Sequence, residues 1–280
     1  MITHNGKQVT LAMRNRKAIN LIARNGKAMF GEFLPDIGYA YGIDAAAKAV
    51  ILAEYGKQVW SDVKQYAKAH PQIVEFINQD PHLAASISTN SNKERWLVGD
   101  GKVYILTNIY PKTNTWFDIS LKTTDNDNNT CGILSGSTRG NDAGLELYFW
   151  DKKWTIISNG SHNTGVTANT NTKYRVVRGI TDYEIYEEGV SVKSGTIAQP
   201  TYESNSPICL YCLNRGNTKS YNGKPWIEQA IIGQDTEQVA NLIPHLTADG
   251  QCGMLDLVTY TFHPNANTEG AFTIAVTDKE

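Results

Sequence analysis

From Trp96 onward the sequence is a succession of short runs in which apolar and polar residues alternate, broken every eight to twelve residues by Gly, Asn, Asp or Pro. "KVYILTNIY", "TWFDISLKT", "GLELYFW", "WTIISNG", "KYRVVRG", "YEIYEEG", "PICLYCLN", "WIEQAIIG", "MLDLVTYTF" and "AFTIAV" all have this form. A period of two turns successive side chains to opposite faces, so one face of each run can be buried while the other is not; a helix, with its 3.6-residue period, cannot segregate such a pattern. Turn signals at this spacing predict an all-β sandwich. Roughly ten strands in about 180 residues fit a single two-sheet antiparallel jelly roll. Within this stretch only "DTEQVANLIPHL" reads as helical, and one short helix is expected there.

The first thirty residues have a different texture. "HNGKQVTLAM", "RNRKAINLIA" and "RNGKAMFGEF" repeat a unit, with Asn5, Asn15 and Asn25 at matching positions. Asn-Gly between short apolar-rich runs favours a two-residue hairpin turn, because both residues tolerate positive φ; Arg16 weakens the middle one. Three turns joining four short strands, a small β-meander, are expected. A helical segment over residues 44–88 follows. Asp44 is placed to cap it, and Ile43, Ala46, Val50, Ala53, Trp60, Val63 and Ala67 recur at helical steps. Pro71 stops that helix and opens a second, and Asp80-Pro81 repeats the device for a third. The chain therefore divides into an N-terminal module of meander plus helices, 1–95, expected to be an attachment end, and a jelly roll, 96–280.

Charge excludes some functions. With 26 basic and 28 acidic side chains the net charge is -2, without the basic surplus of a nucleic-acid binder. No apolar run approaches the ~18 residues a membrane span needs. "MITHNGKQVT" has no apolar stretch behind its charges, so no secretory signal is expected, and the chain is expected to be cytoplasmic until release. Cys209 and Cys212 have the spacing of a zinc knuckle or redox pair but lie inside an apolar strand with no second pair nearby. They read as core side chains. On one strand their side chains point to opposite faces, so these two, Cys131 and Cys252 are all expected as free thiols.

The chain closes on "LIPHLTADGQCGMLDLVTYTFHPNANTEGAF". The order Ile243-Pro244, Asp249-Gly250, "CGMLDLV", Phe262 and "NANTEGAF" resembles the terminal hairpin of laminin G-like, concanavalin A-like jelly rolls of gut bacteria and their phages. Upstream, "YILTNIYPKTNTWFDISLK", "CGILSGSTR" and "PICLYCLNRGN" resemble earlier strands of those domains in the same order, so the likeness covers about residues 96–275. Leu255 stands where Tyr is usual. Met254, Leu257, Phe262 and Phe272 are expected to point inward. The relatives so implied include both lectins and glycoside hydrolases.

A retaining hydrolase of this fold needs two carboxyl groups about 5.5 Å apart on one strand face. The nearest residues are Glu146 alone, and Glu184, Glu187 and Glu188 in "YEIYEEG". Glu184 and Glu187 alternate to opposite faces, and although Glu184 and Glu188 share one, "EEG" reads as a turn. No enzyme is expected, a hydrolase being the third choice. No cofactor is expected either: Asp125 and Asp127 are spaced like calcium ligands but lack the glycine and final Glu of a calcium loop. His245 and His263 read as surface or partly packed side chains. The expected ligand site is aromatic. Tyr148, Trp150 and Trp154 could form a platform for a sugar face, unless a covering loop packs on them, and Arg139, Arg215, Tyr221 and Trp226 could form its rim. The resulting expectation is a non-enzymatic adhesion protein of a virion or outer surface, recognising glycan or protein. The alternative is a virion assembly protein that self-associates through its N-terminal module.

Overall fold

The computed structural model describes residues 42–124, 131–137, 144–158, 160–201, 203–215, 218–220 and 224–279, with the backbone of six short strands between residues 2 and 29. For Cys131, Ser137, Ser161, Arg215 and 218–220 it describes the backbone alone. Two compact units are present, 1–87 and 88–280.

In the first unit, β1 (Ile2–His4) pairs with β2 (Lys7–Val9), β3 (Ala12–Arg14) with β4 (Lys17–Ile19), and β5 (Ile22–Arg24) with β6 (Lys27–Met29). The repeat thus makes three separate two-stranded hairpins, not the expected four-stranded meander. Each unit begins on the last residue of one hairpin's first strand and carries the whole of its second strand. The turn residues themselves lie outside the described residues.

The helical segment holds α1 (Ala45–Glu54), α2 (Gly56–Ala69), α3 (Ile73–Gln79), a 3-10 turn at Pro81–Leu83 and α4 (Ala84–Ile87). Asp44 caps α1 as expected, its carboxylate accepting the Ala47 N–H at 2.8 Å. The long helix breaks at Tyr55, after which Gly56 turns left-handed at φ 84. Asp80 precedes Pro81 but makes no side-chain cap. The buried face of α1 is Ile43, Ala47, Ile51 and Tyr55, one step round from Ala46, Val50 and Ala53; Ala46 and Ala53 are exposed. In α2 it is Val59, Trp60, Val63 and Ala67, as the pattern predicts. These faces are buried together with Ile73, Ile77 and Leu83, and α1 packs on both α2 and α3.

The second unit begins with β7 (Lys93–Gly99), β8 (Ile105–Leu106), β9 (Thr115–Lys122), β10 (Cys131–Ser137), β11 (Gly144–Trp150), β12 (Lys153–Ile157), β13 (Ser161–Thr167), β14 (Lys173–Arg178), β15 (Asp182–Glu187) and β16 (Val190–Thr196). It continues with β17 (Cys209–Leu210), β18 (Leu213–Arg215), β19 (Thr218–Ser220), β20 (Trp226–Gln234), β21 (Glu237–Leu246), β22 (Cys252–Asp256), β23 (Thr261–Pro264) and β24 (Phe272–Asp278). They form the expected two-sheet antiparallel jelly roll. The ten-stranded sheet runs β16-β15-β14-β9-β20-β21-β22-β23, with β7 joining β20 to β24. The eight-stranded sheet runs β13-β12-β11-β10-β17-β8, with β18 beside β10 and β19 paired to β18.

β9 shows the pattern plainly. Thr115, Phe117, Ile119 and Leu121 are buried, and Trp116, Asp118, Ser120 and Lys122 lie on the outer face. The inward set meets Leu134, Leu147, Ile156 and Trp154 of the other sheet in one core. Each such side chain contributes roughly 1.5–3 kcal/mol of transfer free energy.

Residues 237–246 are a strand, not the expected helix. Asp235 at φ 53 makes a two-residue turn that pairs Glu237 with Gln234 and folds β21 back on β20, burying Ala240 and Leu242. Pro244 is tolerated because β20 pairs only as far as Leu242.

The closing stretch is held by side chains that accept backbone N–H groups. Asp256 Oδ1 accepts from Asn241 and Val258, and Oδ2 accepts the Thr259 hydroxyl at 2.6 Å. Asn265 Oδ1 accepts from Tyr104 and Asn267, and its amide donates to Gly270. Met254 and Phe272 reach the core as expected. Leu257 and Phe262 are only half-buried: Leu257 is in the turn, and Phe262 packs beside His245 at 5.6 Å.

Cys209 and Cys212 form a disulfide, contrary to the expectation of free thiols. β17 ends at Leu210, and Tyr211 turns left-handed at φ 64, bringing the two Cα atoms to 6.0 Å. The opposite-face argument holds only on a continuous strand. Cys252 is half-buried and outside that disulfide.

Candidate functional site

The outer face of the ten-stranded sheet carries ordered rows of side chains, because paired residues share a face. One row is Ser194, Glu184, Val177, Asp118 and Ile231; the next is Ser191, Tyr186, Arg175, Ser120 and Gln229. Trp116 pairs with Gly233 at one end of β9, and Lys122 pairs with Trp226 at the other.

Gly233 lets the Trp116 indole lie on the sheet. A Cβ there would fall within 2.5 Å of Trp116 Nε1 and nearer still to its ring carbons. Trp116 Nε1 donates to the Asp235 carbonyl at 2.9 Å, so the β20–β21 turn fixes the ring in its plane. Beside the indole opens a groove of about 610 Å³, lined by Trp116, Val177, Arg178, Gly179, Asp182, Tyr183, Glu184, Ser194 and Gly195.

Asp182 and Glu184 alternate on β15 and so point the same way. Glu184 Oε1 accepts from Ser191 Oγ at 2.5 Å and Oε2 from the Tyr186 hydroxyl at 2.6 Å. These bonds, Ser191's foremost, hold Glu184 below the usual carboxylate range. Near neutral pH it is therefore an acceptor and not a proton donor, the opposite of the raised acid that a glycosidase needs. Arg178 is buried beneath the groove. Its Nη1 donates to the Thr115 carbonyl and its Nη2 to Ser158 Oγ at 2.6 Å. Burial pushes its pKa down to about 10, against an opposing pull from Asp182, so it remains charged at neutral pH. Arg175 clamps Asp118 with two nitrogens, Nε to Oδ1 at 2.9 Å and Nη2 to Oδ2 at 2.6 Å, and lies over the Tyr186 ring.

The expected aromatic platform does not form. Trp154 is fully buried in the core, edge-on to Phe149 at 4.3 Å and to Tyr174 at 5.2 Å. Tyr148 is 4% exposed, packed with Ile157 and Leu213. Its face of the eight-stranded sheet is covered because the Cys212–Leu213 backbone crosses directly over Gly132, the residue paired with Tyr148. Trp150 is 59% exposed at the tip of the β11–β12 hairpin. Trp226 is half-exposed on the other sheet, 6.4 Å from buried Trp96. The backbone of Arg215 pairs with Thr218, while Arg139 and Tyr221, like Asp125 and Asp127, lie outside the described residues.

Glu146 is fully buried and accepts from Ser135 Oγ at 3.2 Å. Glu187 accepts from Asn169 at 2.8 Å, and Glu188, in the turn at φ 46, accepts the Lys173 N–H at 2.7 Å. Neither lines the groove that holds Glu184. His245, expected as a surface or partly packed side chain, is fully buried; His263 is half-buried, and burial lowers its pKa. Among the described residues no three His, Cys, Asp or Glu side chains cluster as metal ligands, and no helix is long and apolar enough to cross a membrane. Trp116, Asp182 and Ser194 did not stand out in the sequence. The available signal was a lone tryptophan on the polar side of an otherwise cleanly alternating strand.

No protein-family model matches the chain, and no curated protein matches it. Solved structures with partial likeness include a protein of Bacteroides ovatus described as carbohydrate-binding, at 9% identity and TM-score 0.48, matched over 66% of this chain and 61% of that one. The LG4-5 domains of mouse laminin alpha1 align at 12% identity and TM-score 0.35, over 53% of this chain and 42% of that one. The CBM40 domain of a Ruminococcus gnavus sialidase, bound to sialyllactose, aligns at 17% and 0.32, over 42% and 74%.

Proposed function

We propose that the chain is a non-catalytic glycan-binding adhesion module whose ligand stacks on Trp116. The observation that carries this reading is the indole laid flat over Gly233 at the mouth of a groove that also offers Asp182, Glu184 and Ser194. A flat aromatic face suits the C–H face of a sugar ring, and ionised carboxylates accept hydroxyl hydrogens without any proton transfer. The likeness of the closing hairpin to jelly rolls of gut bacteria and their phages supports a virion or outer-surface setting, with residues 1–95 as the attachment end. A glycan array probed with the native chain and with Trp116→Ala tests the reading. Specific binding that falls about tenfold or more in the variant is expected. If nothing on the array binds while the chain self-associates in sedimentation, the assembly role replaces the adhesion role.

A further inference from the structure

We propose that the ligand is a neutral, linear oligosaccharide lying along β9 from Trp116 to Trp226, not a terminal sugar held at Trp116 alone. This rests on the reading that Trp116 binds glycan. Both indoles are half-exposed and lie on the same outer face, Trp116 paired with Gly233 and Trp226 paired with Lys122. Six residue steps of β9 lead from Trp116 to Lys122, so the two rings are about 20 Å apart along the strand at roughly 3.3 Å per residue. One sugar ring cannot touch both; a chain of them can.

Trp226 is held in place from the side. It packs beside Trp96, whose Nε1 donates to Thr277 Oγ1 at 2.9 Å and whose ring lies under the Lys173 ammonium. The ground between the two indoles is polar, and two of its cations are paired. Arg175 pairs with Asp118, and Lys173 pairs with Glu94 at 2.6 Å and Glu228 at 3.1 Å. Gln229 donates to Asn241 at 2.8 Å. A uniformly charged polymer would meet both signs along this path, Lys122 beside Trp226 and Asp182 and Glu184 at the Trp116 end, and the two carboxylates would repel an anionic one. Hydroxyl groups can use the remaining lone pairs and N–H groups of such pairs without breaking them. A neutral chain is the occupant that this charge arrangement admits.

The test measures affinity against chain length by calorimetry, using neutral β-linked gluco- and manno-oligosaccharides from di- to hexasaccharide and galacturonate oligomers as the charged contrast. For the native chain the hexasaccharide should bind about tenfold tighter than the disaccharide, the worth of a second aromatic stack. In Trp226→Ala that ratio should fall to about one, and Trp226→Phe should restore most of it. Oxidative footprinting of the native chain gives a reading that needs no variant: the hexasaccharide should protect Trp226 and the disaccharide should not. Disaccharide binding with no gain on lengthening, or a hexasaccharide that leaves Trp226 unprotected, overturns this proposal and leaves the Trp116 reading standing. Tighter binding of galacturonate oligomers also overturns it. If no oligosaccharide of any length binds, the Trp116 reading falls with it.

Discussion

Gly233→Ala separates the geometry of the site from the stability of the fold. The added methyl would sit inside the Trp116 indole, within 2.5 Å of Nε1 and nearer to two ring carbons. Carbon atoms pack at about 3.5–4.0 Å, so the ring has to lift by about 2 Å or swing off the sheet. Either movement breaks the 2.9 Å bond from Nε1 to the Asp235 carbonyl, which is worth about 0.5–1.5 kcal/mol. Against this, replacing glycine in a strand interior recovers about 0.5–1 kcal/mol of chain entropy. The two effects nearly cancel, so the net change in stability should stay within about 1 kcal/mol, a melting shift of only a few degrees. Binding does not share that compensation. With its platform tilted, a sugar ring loses its stack, and affinity should fall about tenfold, as in Trp116→Ala. Calorimetric titration with the best array ligand, beside a thermal melt of the same sample, measures both quantities. A Gly233→Ala protein that melts normally and binds like the native chain would refute the role given to Trp116.

Three other outcomes follow from particular side chains. Under denaturing, non-reducing conditions a thiol reagent should label Cys252 but neither Cys209 nor Cys212, and both should react after reduction; labelling of either without reductant would contradict the Cys209–Cys212 bridge. Glu184, held below its ordinary pKa chiefly by Ser191, stabilises the fold above its unfolded pKa, and that contribution is lost as pH falls through the lower folded value. Glycan affinity should accordingly survive below pH 4.5, and Ser191→Ala should move the acid limb of the binding curve to higher pH. Arg178→Ala removes the donors to the Thr115 carbonyl and Ser158 Oγ and leaves a hole beneath the groove, so chemical denaturation should register a loss of about 3 kcal/mol. An unchanged midpoint would mean that the cost of burying its charge cancels those bonds.

The periodicity of single elements was readable in the sequence, because it follows from backbone geometry alone. β9 alternates as written, Asp44 caps α1, and the Asp and Asn residues of the closing stretch hold its turns. Alternation says which residues share a face; it cannot say what covers that face. Tyr148 and Trp150 do share a side of β11, yet the Cys212–Leu213 backbone crossing Gly132 covers the part of that sheet where Tyr148 lies, while Trp150 stays open at the hairpin tip. The same left-handed residue before that crossing, Tyr211, turned two cysteines expected on opposite faces into a disulfide. In 237–246 a helical pattern yielded to strand pairing, since the tight turn at Asp235 and a free place beside β20 offered a ladder that no local propensity could match. The candidate site lay furthest from view. It needs Gly233 beneath Trp116 and β15 two strands away, contacts set by the order of strands in the sheet and not by any spacing along the chain.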